Sequence, residues 1–147
     1  MSLTPAQQTA LAAWVAANQA ALGNNNGFPQ IAAALNAATG TLIWRSDLTP
    51  ALLNTAIVWS EWLLLTQAQR DAYAVLTNGA TVDATNANIR TGFSTVLSGA
   101  TQTLTNLTAL AQRAATVFEN LFVTGGVSTA FGIIVGPADV QAALGKA

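Results

Sequence analysis

The side chains able to move protons in this 147-residue chain are six acids: Asp47, Glu61, Asp71, Asp83, Glu119 and Asp139. They are scattered, and no two have a spacing such as i, i+4 that would put both on one helix face as ligands or as an acid/base pair. There is no His and no Cys. A serine nucleophile would lack its usual base, and thiol chemistry, disulfides and the commonest metal ligands are absent. The single lysine, Lys146, is next to the last residue and makes a poor tuned amine. "TGGVSTAFG" has neither the spacing nor the Lys of a phosphate-binding loop. The expectation is no enzyme: no catalytic residue, no cofactor and no metal.

The arginines and tryptophans offer binding chemistry instead. Arg45, Arg70, Arg90 and Arg113 are evenly spread and never clustered. Each is read either as half of a local ion pair or as a hydrogen-bonding fork at a subunit seam, a role Arg fills better than Lys. Trp14, Trp44, Trp59 and Trp62 are many for this length, and core is the simpler reading for each. Trp44 and Trp62 adjoin Arg45 and Glu61, and tryptophan is enriched at interfaces, so one of them could face a partner.

Charged residues make up 7% of the chain against about 25% in ordinary globular proteins. Thr, Asn, Gln and Ser must then supply the polar surface. A lone soluble domain relies on charge for solubility, so a surface largely covered by neighbouring subunits is the sharper expectation. A net charge of −1 gives nucleic acid no electrostatic footprint. "MSLTPAQQTA" shows no basic segment leading into an apolar run, so no secretory signal is expected. The greasiest stretch, 52–65, is interrupted by Asn54, Ser60 and Glu61 and is too short to span a bilayer.

The elements that must position these residues read as helices. Pro5, Pro50 and Pro137 suit the first helical position, Thr4 and Thr49 suit caps, and Thr4/Gln7 and Thr66/Gln69 form capping boxes. Helices are expected from Pro5 to Leu22, with Gly23 and "NNNG" as its stop; from Pro29 to Ala38; and after Thr49 through Leu52, Leu53, Ile57 and Trp59. Others should run from Thr66 to Asn78 and from about Asp83 or Thr85 to Gly99, with Ile89, Phe93, Val96 and Leu97 on one face. A long stripe, Leu104, Leu107, Leu110, Ala111, Ala114, Val117, Phe118 and Leu121, predicts one helix up to Gly125. "TLIWRSD" is extended or irregular, and "VSTAFGIIVG" is an extended arm or short hairpin before a last helical turn in "PADVQAAL". The fold expected is all-α: a compact bundle of five to six helices over residues 1–125, with an extended C-terminal arm, 126–147, in the same domain.

Four phrases, "IAAALNAATGTLIWRSDLTP", "ANIRTGF", "LAQRAATVFENLFVTGG" and "ADVQAAL", occur in an order that resembles a family of small tailed-bacteriophage structural proteins. The matching positions are Ile31, Leu35 and Asn36; Trp44, Arg45 and Ser46; Asn88, Ile89, Arg90 and Gly92; then Arg113, Ala115, Thr116, Glu119, Leu121, Phe122, Thr124 and Gly125. Together they span roughly residues 30–144. The chain departs from that pattern in "TQAQRDAYAVL", where the family often has a basic, aromatic helix, and in its low charge. The resemblance implies a virion protein, assembled in the host cytoplasm and resident in the neck. There it would be a head-to-tail adaptor, or connector, forming a homo-oligomeric ring of about twelve copies beneath the portal. Its partners would be the portal and other neck and tail proteins, with no sequence-specific nucleic-acid binding and no membrane. Interface candidates are Trp44, Arg45, Arg90 and Arg113, with Phe131, Ile133, Ile134 and Val135 in the C-terminal arm. Other virion stations (capsid cement, stopper, tail terminator) and, behind them, a membrane-active small protein are the alternatives. The mean hydropathy of +0.42 motivates the last.

Overall fold

In the computed structural model, which describes residues 2–19 and 27–145, helix starts fall where the sequence punctuates them. Helix α1 (Pro5–Asn18) opens on the Thr4/Gln7 capping box, with Gln7 N donating to Thr4 Oγ1 (3.2 Å) and Thr4 N to Gln7 Oε1 (2.9 Å). The helix end expected at Leu22, the stop at Gly23 and the turn through Asn26 lie outside the described residues, as does Lys146. Then come α2 (Phe28–Asn36), strand β1 (Ala38–Trp44), α3 (Pro50–Asn54), α4 (Trp59–Trp62), α5 (Gln67–Leu76), α6 (Ala87–Val96) and α7 (Thr101–Ala111). Strand β2 (Gln112–Thr116), α8 (Val117–Asn120), β3 (Val123–Thr124), β4 (Val127–Ser128) and α9 (Pro137–Ala143) complete the chain.

This corrects the all-α expectation. The described structure is mixed, 54% helix and 13% strand, with two small antiparallel sheets. The long helix expected from Leu104 to Gly125 stops at Ala111, where Gln112 turns extended (φ −120°, ψ 153°). Residues 112–116 pair with β1 instead. Arg45 N donates to Ala111 O and Val117 N to Ala37 O, each at 2.9 Å, bracketing the ladder. Backbone pairing overrides the helical preference of an Ala-rich segment. The stripe misled because burial keeps its spacing across the break: Leu107, Ala111, Ala115 and Phe118 are all buried.

The C-terminal stretch is not an extended arm either. Gly125 and Gly126, at φ 60° and 77°, make the two-residue turn of the β3–β4 hairpin, where both central residues need positive φ. Beyond it, Val135 and Val140 are buried.

Two compact units share the chain, one made of residues 1–41 and 114–147, the other of residues 42–113. The backbone passes between them within β1 and again within β2. In the first unit, α9 packs on α1 and α2, and α8 on α2. Leu11, Val15, Ile31, Leu35, Phe118, Val135 and Val140 form its core. In the second, α5 packs on α6, and Leu48, Leu53, Tyr73, Val82, Leu97 and Leu107 are central, with Trp44, Trp62 and Phe93 against them.

Candidate interaction surfaces

In the 42–113 unit the residues after β1 are pinned by charge. Arg45 Nε donates to Asp47 Oδ1 (2.9 Å), closing an ion pair two residues apart. Hydrogen bonds from Arg45 hold the Asp47 carboxyl below its ordinary value, and the charges of Arg45 and of Arg113, half-buried on β2, add to this against the cost of burial. Ala84 N donates to Arg45 O (2.9 Å) and Val82 N to Leu48 O (2.7 Å), so residues 82–84 lie along 45–48.

Arg90 closes this arrangement. It sits in the first turns of α6, whose start is capped by Asn86 accepting from Asn88 N (2.9 Å). Its Nη1 reaches back to Ala84 O (2.7 Å) and Thr85 O (3.0 Å), and its guanidinium lies 4.7 Å from the centroid of the Trp44 ring. The side chain thus fastens the segment before its own helix to the end of β1. Beneath it is a cavity of about 70 Å³ with mostly apolar walls, including Trp44, Leu53, Phe93 and Leu107. Gly92, two residues on, lets α5 approach: a Cβ there would stand 2.9 Å from Leu76 Cδ2.

Two acids do structural work that their isolation in sequence concealed. Helix α7 begins after Ala100, which has no capping side chain. Glu61, from α4, supplies the cap: Thr103 N (2.7 Å), Thr103 Oγ1 (2.8 Å) and Gln102 N (3.1 Å) all donate to it. The backbone bond from Thr103 is the chief cause of a Glu61 pKa below the usual carboxylate range, with the Thr103 hydroxyl and Gln102 N adding to it against burial. Thr103 is fully buried and its hydroxyl also accepts from Val58 N (3.0 Å).

Glu119 is the second, 1% exposed in the core of the other unit. Thr116 N donates to its Oε1 (2.9 Å) and Gly132 N to its Oε2 (2.7 Å), while Glu119 N donates to Thr116 Oγ1 (3.1 Å). This is a third capping box, Thr116-x-x-Glu119, legible in sequence as a helix start inside the segment expected to be continuous helix. Nearby, Asn36 and Val135 exchange two hydrogen bonds, Asn36 Nδ2 to Val135 O (2.7 Å) and Val135 N to Asn36 Oδ1 (2.9 Å).

The interface candidates therefore separate. Trp44, Arg45 and Arg90 are half-buried and joined in one local network, and Arg113 adds its charge at Asp47. Val135 is core, 2% exposed; Ile133 packs against that core; Phe131 is half-buried; Ile134 is 81% exposed. Ile133 and Ile134 also line a groove with Leu3, Thr4 and Gln7. The reading of every tryptophan as core fails at Trp59, which is exposed together with Leu63 and Leu64. That patch, in "WSEWLLL", is the surface the sequence reading missed. The run of apolar residues signalled it, since a single turn cannot bury five large side chains on one side.

Trp59 begins a series of edge-to-face rings, Trp59–Trp62, Trp62–Tyr73 and Tyr73–Phe93, with centroids 6.3, 5.1 and 5.9 Å apart. Tyr73 donates to Asn54 Oδ1 (3.0 Å), and burial pushes its phenol up to about 12. Among the described residues no three side chains of the metal-ligating types gather, and no helix is long and apolar enough to cross a membrane. Glu61, Glu119 and Asp139 cap helices, Asp47 holds Arg45, and Arg70 and Arg90 donate to backbone carbonyls, while Trp59, Leu63, Leu64 and Ile134 leave apolar surface exposed. Comparison with protein-family models, with curated proteins and with solved structures finds no match for the chain.

Proposed function

We propose that the protein is a structural subunit of a tailed-bacteriophage particle, and within it the head-to-tail adaptor, a ring of about twelve copies linking the portal to the tail. The observation that carries this reading is how the charges are used. Glu61 caps α7, Glu119 lies in a core, Arg45 holds Asp47, and Arg90 holds two carbonyls over Trp44. The surface left is rich in Thr, Gln, Ser and Ala and includes exposed Trp59, Leu63, Leu64, Val75 and Ile134. Such a surface desolvates against protein neighbours at low cost, whereas unpaired charges there would be expensive. The ordered family phrases supply the phage assignment, and the adaptor station rests on them alone.

The test is copy number per particle, by quantitative mass spectrometry of purified virions against the major capsid protein. About twelve copies are expected for a closed neck ring. Several hundred would replace the adaptor with a capsid cement or tail-tube role, and absence from particles would remove the virion reading.

A further inference from the structure

Leu63 and Leu64 are 69% and 86% exposed, and Trp59, one turn earlier, is 62% exposed. Leu63 N closes the turn on Trp59 O (3.0 Å), a spacing that sets these two side chains on one side, and exposed Leu64 adjoins them in the chain. Their neighbours turn inward: Leu65 is buried and Trp62 packs against the core. Three such side chains present a few hundred Å² of apolar surface, the size that marks an interaction site on a monomer.

The charge beneath the patch is incomplete. Arg70, on α5, donates from Nη2 to Leu63 O (3.0 Å), which holds the guanidinium at the patch. Its Nε is buried and finds no acceptor among the described residues. The acids of the same unit are engaged elsewhere: Asp47 by Arg45, Glu61 by α7, Asp71 Oδ1 by Gln67 (2.8 Å) and Asp83 Oδ1 by Thr85. Asp71 and Asp83 are nevertheless exposed. The unit thus carries a half-buried guanidinium held at the patch by one backbone carbonyl, and two exposed carboxylates, Asp71 and Asp83.

We propose that Trp59, Leu63 and Leu64 form the centre of a contact with a second copy of this chain, in which Arg70 meets an exposed carboxylate of that copy. The charge complementarity is internal to the sequence, so no other protein is needed to supply the acid. The patch is smaller than the ~800 Å² per partner of a standard interface, and the uncharged, exposed Ser60, Thr66 and Gln67 beside it suit the polar rim of a larger one. This inference deepens the assembly reading and rests on it.

The experiment is the oligomeric state of the full chain over a concentration series, by sedimentation velocity and native mass spectrometry. The variants are Leu64→Glu, Leu64→Met and Arg70→Gln, with thermal melting as the folding control. The wild type and Leu64→Met are expected to self-associate, Leu64→Glu to be monomeric with an unchanged melt, and Arg70→Gln to weaken association about tenfold or more. If Leu64→Glu and Arg70→Gln both assemble like the wild type, this surface is wrong and the assembly reading survives it. If the wild type is monomeric throughout, the inference is overturned, and copy number in particles decides the virion reading independently.

Discussion

Arg90, read in sequence as half of an ion pair or a fork at a subunit seam, donates in the fold to backbone carbonyls of its own chain. Its two carbonyl acceptors lie five and six residues before it, and its ring partner, Trp44, is far away in sequence. Arg90→Met keeps the aliphatic stem and removes both charge-assisted bonds and the contact with the ring, so it should lower the unfolding free energy by about 2 kcal/mol in denaturant titration. Glu119→Ala removes the buried carboxylate that accepts from the N–H groups of Thr116 and Gly132 and should cost about 3 kcal/mol by the same measurement. The pH dependence has two limbs. Glu61 and Asp47 titrate below their ordinary values, so their stabilisation is present above the unfolded carboxylate range and fades as pH falls through the folded values. Tyr73 titrates at about 12 against about 10 unfolded, so its share is complete below pH ~10 and is lost between ~10 and ~12. Unfolding midpoints across pH should show Glu61→Gln with a shallower acid limb and Tyr73→Phe with a shallower alkaline one. Residue types sufficed to find the tryptophans and arginines. They could not reveal that Glu61 caps a helix beginning some forty positions later, because that pairing exists only after folding.

At the scale of elements, punctuation was more legible than periodicity. The helix starts at Pro5, Pro50, Gln67 and Pro137 follow from Thr caps and first-turn prolines, signals fixed by local stereochemistry. The stripe from Leu104 to Leu121 failed because a helix, a five-residue strand and a helical turn can present apolar residues at the same interval. Only the Thr116-x-x-Glu119 box marked the restart. Thr116→Ala should therefore destabilise the protein by about 1 kcal/mol through loss of the α8 cap. The Gly-Gly turn obeys the same logic: alanine at Gly126, held at φ 77°, should cost about 1 kcal/mol, read as a lower denaturation midpoint. The exposed Trp59, Leu63 and Leu64 were passed over by assigning large apolar residues inward, although five of them in one short run exceed what a single turn can bury.

For the whole molecule, neither composition nor the ordered phrases described the division into two units. That division has a consequence for synthesis. Residues 42–113 form an uninterrupted stretch, and every partner this unit needs exists once the chain has been made through Arg113. The other unit holds its first forty-one residues in waiting until Phe118, Val135 and Val140 arrive to complete its core. At about 5–20 residues per second that delay lasts seconds on the ribosome. During it the apolar faces of α1 and α2 have no native mate, and they are the segments a nascent-chain chaperone would meet first.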